Sequence, residues 1–499
     1  MLDRLKHLGS DRRLWAWLAM ILWGGVLLSA GLIRLDVFGI DEAAARALLL
    51  NWSVADQILS TVFVFGLPDL RALLFAPLGI YYSGSIVAAK VFTMLLAYAG
   101  VMAWYRWARR DNDEGALIAT GLMLVSPALI TQIDSIGTGP YLMLACGLAV
   151  WLEDLYRKAQ RPLGGYFFLQ LLLLMFAVSL HPAGLAYPLA LLWEWYRNPV
   201  DPRQQRHAFI GIVVALVLVL ILRMGWHPQA WLLNPLLALG TSLVGPDTTN
   251  DTLRWVIGGV LAIALAAIVY AERRRMVTEF APRLLLLTIV VGLAAADAAW
   301  GLLALACILF LGIPRLIEFN KLFAGRGFMG QRGVVMAAIL VFATLAMQAD
   351  KGHQVAIATN QMSPTDQLLL ALAADIEADK ADGDATRDGQ DAAQIRIMSQ
   401  WPGRTMLAVR HPTFPLPRKD YPDGEALLKD IAGITHLVFN PYDPANRSLG
   451  TNLSMLGART KTLDLQEGGA IIRILPHTGA APGPVPPGPH GAPAKGAKP

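Results

Sequence analysis

Cysteine is nearly absent. The 499-residue chain holds only Cys146 and Cys307, both inside apolar stretches. That excludes a disulfide framework and offers no spacing for a thiolate metal site or redox chemistry. Charge is scarce as well. Charged residues make up 16% of the chain and hydrophobic ones 55%, whereas a soluble domain carries roughly 25% charged residues. No P-loop, zinc spacing, GxSxG elbow or Rossmann fingerprint occurs, so none of the sites those motifs build is available. The first apolar stretch is followed by no small-residue cleavage site, so it reads as a retained anchor. The net charge of +5 is not a nucleic-acid signal, because the arginines cluster in short loops beside apolar runs.

Those apolar runs dominate the chain. Eleven are legible, at about 14–33, 84–105, 115–132, 138–155, 165–180, 184–196, 208–225, 253–271, 284–297, 299–317 and 333–348. Several fall short of the roughly 20 residues of a full span. Every second loop is basic: Arg4 to Arg13, Arg106 to Arg110, Arg157 to Arg161, Arg197 to Arg206, Arg273 to Arg283, and Arg315 to Arg332. This alternation predicts a polytopic helical membrane protein with about eleven spans, N-terminus inside and C-terminus outside.

A membrane domain over 1–349 then has a long first outer loop at 34–83 and shorter outer loops near 133–137 and 226–252. Residues 41–50 are rich in alanine and leucine and favour helix. Residues 54–65 are apolar and suit an amphipathic helix lying in the interface. After Asp350 the chain turns polar. Residues 364–380 read as a helix with Ser363 as N-cap and Pro364 at the first helical position. Strand-like runs follow at Ile395–Met398, Thr405–Val409, His436–Asn440 and Ala470–Leu475, with a helix near 424–432. The expectation is a small extracytoplasmic α/β domain over 350–476, of ordinary domain size. The Pro/Gly/Ala-rich tail at 477–499 is expected to be disordered.

Few residues on the expected outer face suit chemistry. Asp41 and Glu42 stand just past the first apolar run. One reading is a helix start, with Asp41 as cap and Glu42 paired to Arg46. The other is a catalytic carboxylate, and the two are compatible. Adjacent helix positions diverge, so one carboxylate, Asp41, is expected to face a site. Pro68-Asp69-Leu70-Arg71 and Ala76-Pro77-Leu78 suit a re-entrant or interfacial turn. Lys90, near the outer end of the second apolar run, must snorkel or find a partner. Asp134 opens a glycine-rich loop that runs through Gly139-Pro140-Tyr141. His181-Pro182-Ala183-Gly184 breaks two helices at the same face.

In this order these features resemble the membrane glycosyltransferases of the GT-C fold, in the branch of the protein O-mannosyltransferases and the lipid A aminoarabinose transferase. The residues that carry the resemblance are Asp41-Glu42, the segment Pro68 to Pro77-Leu78, Lys90, Ser126-Pro127, and Asp134 to Tyr141, within about residues 10–200. The family often has an Asp where this chain has Gly139. Either Asp134 stands in for it or the second carboxylate is absent. A lysine often precedes the family's proline step, and Arg71 is the nearest cation here.

The resemblance implies a sugar donor on a polyprenyl phosphate and inverting transfer to an acceptor at the outer surface. Asp41 would be the base, with Glu42 and Asp134 as further catalytic candidates. Lys90, Arg71 and His181 are the candidates for the donor phosphate. Some relatives hold a divalent metal near the acidic pair, which would place one at Asp41. The alternatives are an inactive binding or scaffold protein of the same fold, and a lipid or glycan transporter. Alanine- and arginine-rich usage points to a bacterial inner membrane.

Overall fold

The computed structural model describes residues 12–35, 38–49, 70–71, 74–75, 86–159, 163–198, 202–222, 235–246, 250–317, 328–359, 363–386, 395–417, 421–422, 424–441, 443, 446, 449–451, 453, 460–466 and 469–474. The expected interfacial helix at 54–65, most of the proline segment at 68–78 and the tail at 477–499 lie outside them. The chain divides after Gln361 into two compact units.

The first unit is helical: α1 (Arg12–Ser29), α2 (Glu42–Leu49), α3 (Ile86–Ala108), α4 (Asp113–Leu124), α5 (Pro127–Asp134), α6 (Gly139–Lys158), α7 (Gly165–Leu180), α8 (Ala186–Arg197), α9 (Pro202–Leu222), α10 (Pro235–Val244), α11 (Asp251–Thr278), α12 (Phe280–Gly292), α13 (Ala298–Cys307) and α14 (Phe328–Ala358). Each apolar run of the sequence falls on one of these, the third on the α4–α5 pair. Among the described residues, four helices are long and apolar enough to cross a membrane: Ile86–Ala108, Pro202–Ile221, Asp251–Thr278 and Ala298–Ile317. A fifth span results if α4 and α5, bent by 46°, count as one. The unit is a helical, membrane-associated body. On α9, Val213, Val214, Val217, Leu218 and Ile221 are exposed while Ile212, Ala215 and Val219 are buried. A helix apolar on its solvent-free and its outward faces alike is suited to lipid.

The α4–α5 bend has a local cause. Ser126 caps α5 through Oγ, which accepts from the Leu129 N–H and donates to the Met123 carbonyl, and Pro127 occupies the first helical turn. Helix α10 lies in the stretch read from sequence as the outer loop 226–252. It packs tightly on α11. A Cβ on Gly240 would come within 1.9 Å of the Arg254 carbonyl oxygen, and one on Gly258 within 1.9 Å of the Leu236 carbonyl oxygen. Only glycine permits that backbone approach.

Ion pairs gather the basic loops at one end of the bundle. Arg110 pairs with Asp154, Arg275 with Asp111, Arg315 with Glu272, and Glu194 with both Arg157 and Arg283. Lys90, Asp134 and Tyr141 sit at the opposite ends of α3, α5 and α6. Helix α14 continues through Asp350 to Ala358, beyond the point where the sequence turns polar.

The second unit begins with α15 (Pro364–Thr386) and holds β1 (Ile397–Ser399), α16 (Pro402–Val409), β2 (Thr413–Pro415), α17 (Gly424–Asp430), β3 (His436–Phe439), β4 (Thr460–Gln466) and β5 (Gly469–Ile474). The sheet order is β2-β1-β3-β5-β4. Strand β1 runs parallel to β2 and β3, whereas β5 is antiparallel to both β3 and β4. Ser363 caps α15 as its sequence predicts, accepting from the Asp366 N–H at 3.2 Å. Leu368, Leu372 and Ile376 of α15 pack on Ile397, Val438 and Ile471 of the sheet. Thr405–Val409 corrects the sequence reading: it is the second half of α16 and not a strand. Pro402 starts that helix, Met406 and Leu407 are buried, and Arg410 closes it in the left-handed conformation at φ 59°. Strands β2 and β4 were not anticipated.

Candidate functional site

The site assembles around the turn that follows α5. Asp134 ends that helix and is 5% exposed. Its Oδ1 accepts from the backbone N–H of Arg34 and from Lys90 Nζ, the latter at 3.0 Å. Lys90 is 1% exposed, so its ammonium answers a carboxylate from inside the protein. A phosphate would have to share or displace that partner.

The turn itself is strained. Ile136 has φ 52°, a conformation in which a β-branched side chain is an outlier. Its side chain is fully buried, and four hydrogen bonds hold the turn in place. The Ile136 carbonyl accepts from Arg71 Nη1. The Ser135 carbonyl accepts from the Asp41 N–H at 3.2 Å. The Gln132 carbonyl accepts from the Gly137 N–H at 2.7 Å, and the Gln132 amide oxygen accepts from the Gly139 N–H at 3.1 Å.

Asp41 therefore docks on the Asp134 turn through its own backbone. Its carboxylate caps α2 by accepting from the Ala44 N–H, and it keeps 40% of its side-chain surface exposed. Gly39, at φ 75°, turns the chain into this position, with the Arg34 side chain and Asp134 Oδ2 both against it. Arg71 Nη2 lies 3.8 Å from Asp41 Oδ1. Arg71 is fully buried and stands over Tyr141, 5.8 Å from the ring centroid. Tyr141 is fixed in turn. Thr93 gives its one hydroxyl proton to the Ala89 carbonyl, so Tyr141 donates to Thr93 Oγ1 at 2.6 Å. Phe75 meets the Tyr141 ring edge-on.

The other candidates are placed as follows. Glu42 sits in the first turn of α2, paired with Arg46 at 2.8 Å, with 10% of its side chain exposed. The Asp41 carboxylate is thus the open member of the acidic pair. His181 is buried. Its Nδ1 accepts from the Ala183 N–H at 3.0 Å, which leaves Nε2 to carry the proton toward Asp297 Oδ2 at 3.2 Å. Asp297 caps α13 by accepting from the Trp300 N–H. Burial pushes its carboxyl up, but the hydrogen bond from His181, with two backbone N–H groups, holds it below the ordinary value. His181 and Asp297 form a second polar pair, linked to the first group through neighbours. Ser179 accepts from the Leu70 N–H, and Ala299 and Leu302 of α13 lie against Gly139.

Gly139 answers the question its sequence raises. A Cβ there would meet Leu302 Cδ2 at 2.8 Å, Gln132 Oε1 at 3.0 Å and the Ala299 Cα at 3.3 Å. No acidic side chain fits, and the nearby carboxylate is Asp134. Among the described residues no three His, Cys, Asp or Glu side chains converge, and the positive charge beside Asp41 comes from Arg71.

Sequence reasoning did not single out Arg34, Gln132, Ile136 or His353 as site residues. His353, on α14, places Nε2 3.8 Å from Asp134 Oδ2. The available signal was its i,i+3 spacing from Asp350, just past an apolar run. Models of known protein families give no match to this chain, and no curated protein sequence matches it.

Proposed function

We propose that this protein is an integral membrane glycosyltransferase of GT-C type, with about eleven spans and the Asp41 end of its bundle on the extracytoplasmic side. It moves a sugar from a polyprenyl-phosphate donor to an acceptor at that face. The observation that carries this reading is the setting of Asp41. It is a half-open carboxylate, anchored by its backbone to a strained turn and flanked by a buried guanidinium. Strain maintained by several surrounding contacts clusters at functional sites.

Asp41 takes the proton of the acceptor hydroxyl as that oxygen attacks the anomeric carbon. The bond from that carbon to the phosphate oxygen breaks, and the lipid phosphate leaves with the electron pair, inverting the centre. Such assistance is worth about 10²–10⁴ in rate. The leaving phosphate needs positive charge as the bond breaks, and Lys90, Arg71 and His181 remain the proposed sources. No step passes through a metal.

A second reading is a binding or scaffold protein of the same fold. It is favoured by the fact that Lys90 and Arg71 already have protein partners. Native mass spectrometry of gently extracted protein separates the two. Co-purified polyprenyl phosphate, or its glycosylated form accumulating in Asp41→Asn, supports the transferase. Bulk phospholipid alone across several gentle detergents turns the balance to the scaffold.

A further inference from the structure

At the basic end of the bundle, α3 and α6 run side by side and parallel. Three contacts share one sequence offset. A Cβ on Gly100 would lie 3.1 Å from the Leu144 nitrogen, one on Gly147 would lie 2.8 Å from the Ala103 Cβ, and Arg110 pairs with Asp154. Trp104 Nε1 donates to the Met143 carbonyl at 3.0 Å and fixes this register. A groove lies between the two helices where they approach that end. Ala103 and Gly147 meet along it, and neither has a side chain long enough to fill it. Trp107 is buried behind it, packed edge-on to Trp104. Trp151 stands at its side and is 42% exposed.

The groove has more positive charge than it can pair. Arg106 lines it and is exposed, and it makes no ion pair or hydrogen bond among the described residues. Arg110 gives one nitrogen to Asp154 and keeps half of its side-chain surface exposed. A guanidinium has five N–H donors, so this bond does not exhaust it. The carboxylates beyond Asp154 are engaged elsewhere: Asp111 with Arg275 at 2.8 Å, and Asp113 as acceptor from the Tyr105 hydroxyl at 3.0 Å. Two guanidinium groups therefore meet one carboxylate, and the complement they call for is an anion. The surface beside them is apolar and carries an indole, the side chain enriched at headgroup level. A phosphate joined to a hydrocarbon chain matches both halves.

We propose that this groove binds one anionic phospholipid of the leaflet at the basic end of the bundle. The headgroup phosphate bridges Arg106 and Arg110, accepting from N–H groups that Asp154 does not engage. The glycerol lies against Trp151, and the first methylenes of one acyl chain fill the hollow over Ala103 and Gly147. Basic pockets between membrane helices on the inner face take anionic headgroups on this principle. A zwitterionic lipid brings its own ammonium toward the same arginines and is held less tightly. No residue of the Asp41 site takes part, so the inference is independent of the transferase reading.

Native mass spectrometry of the full-length protein tests it, with dioleoyl phosphatidylglycerol and dioleoyl phosphatidylethanolamine titrated in the same detergent. The wild type should bind phosphatidylglycerol more tightly. Arg106→Gln changes an exposed position and should leave the fold intact. It should weaken phosphatidylglycerol binding by about fivefold, the worth of one arginine at an anionic headgroup, and leave phosphatidylethanolamine unchanged. Arg274→Gln removes another exposed arginine of the same end, on α11, and should change neither lipid. In nanodiscs, a photoreactive phosphatidylglycerol with its diazirine near the carbonyl end of the acyl chain should label the peptides that carry Ala103 or Trp151. Equal binding of the two lipids by the wild type overturns the proposal. So does phosphatidylglycerol binding indifferent to Arg106→Gln, or label confined to other helices. An equal loss in Arg106→Gln and Arg274→Gln also overturns it, because the attraction is then that of diffuse surface charge.

Discussion

Lys90 and Asp134 form an ion pair buried at both ends, with Nζ 3.0 Å from Oδ1 and side-chain exposures of 1% and 7%. The pair joins α3 to the end of α5, and the backbone N–H of Arg34 closes it. Breaking one partner of such a pair leaves an uncompensated buried charge, at a cost of about 3–5 kcal/mol. Asp134→Asn and Lys90→Met should each lower the melting temperature in detergent strongly. The double variant Lys90→Met/Asp134→Asn should recover much of the loss, because neither charge is left alone. Additive losses in the double variant would show that the two side chains act independently.

Asp41→Asn separates chemistry from folding. Asn caps a helix about as well as Asp, so α2 should form and thermal stability should change little. Transfer from a synthetic polyprenyl-phosphate sugar in proteoliposomes should fall by about 10²–10⁴. Turnover within a few-fold of wild type would remove Asp41 from the role of base.

Gly139 is predicted to reject even a methyl group. The nearest contacts of an added Cβ are side-chain atoms of Leu302 and Gln132 and the backbone of Ala299. Gly139→Ala should destabilise by about 1–3 kcal/mol through overpacking, and Gly139→Asp by more, because it also buries a charge. Denaturation midpoints of the two variants give the order. A stable Gly139→Asp protein would reopen this position as a site for a second acid.

Asp297 gives a pH prediction. Its carboxyl is held below its ordinary value in the folded protein. The unfolded chain therefore binds a proton more readily than the folded one as pH falls. The contribution to stability is complete above the ordinary carboxylate value of about 3.9. It is lost as pH falls through the lower folded value. His181→Ala should flatten that acid limb in melting-temperature profiles. A limb unchanged in the variant would assign the acid loss to other carboxylates.

Much of this architecture is legible in the sequence, for identifiable reasons. Apolar runs must become helices because a bilayer offers no partner for free backbone groups, and each run did fall on helix. Ser363-Pro364 announced its cap because capping is local. Thr405–Val409 was misread because a short apolar run with a Thr and a Val does not separate strand from helix, and Pro402 upstream decided the matter. Helix α10 was missed because Pro235–Val244 is short and sits between turn-forming residues. The site was half legible. Asp41 and Asp134 stand out as carboxylates beside apolar runs. The bond from Arg71 to the Ile136 carbonyl spans 65 positions and leaves no local trace. Nor does any spacing in the sequence connect His353 to Asp134.

The Ser126–Pro127 break also acts as a depth gauge. Helix α5 has 8 residues and departs from α4 by 46°. At 1.5 Å per residue it is about 12 Å long and advances only about 8 Å along the α4 axis. A straight continuation would carry Asp134 about 4 Å further along that axis. The bend keeps the carboxylate where α3 and α14 still flank it, so one proline step sets how far from the end of the bundle the protein keeps the acid that holds Lys90.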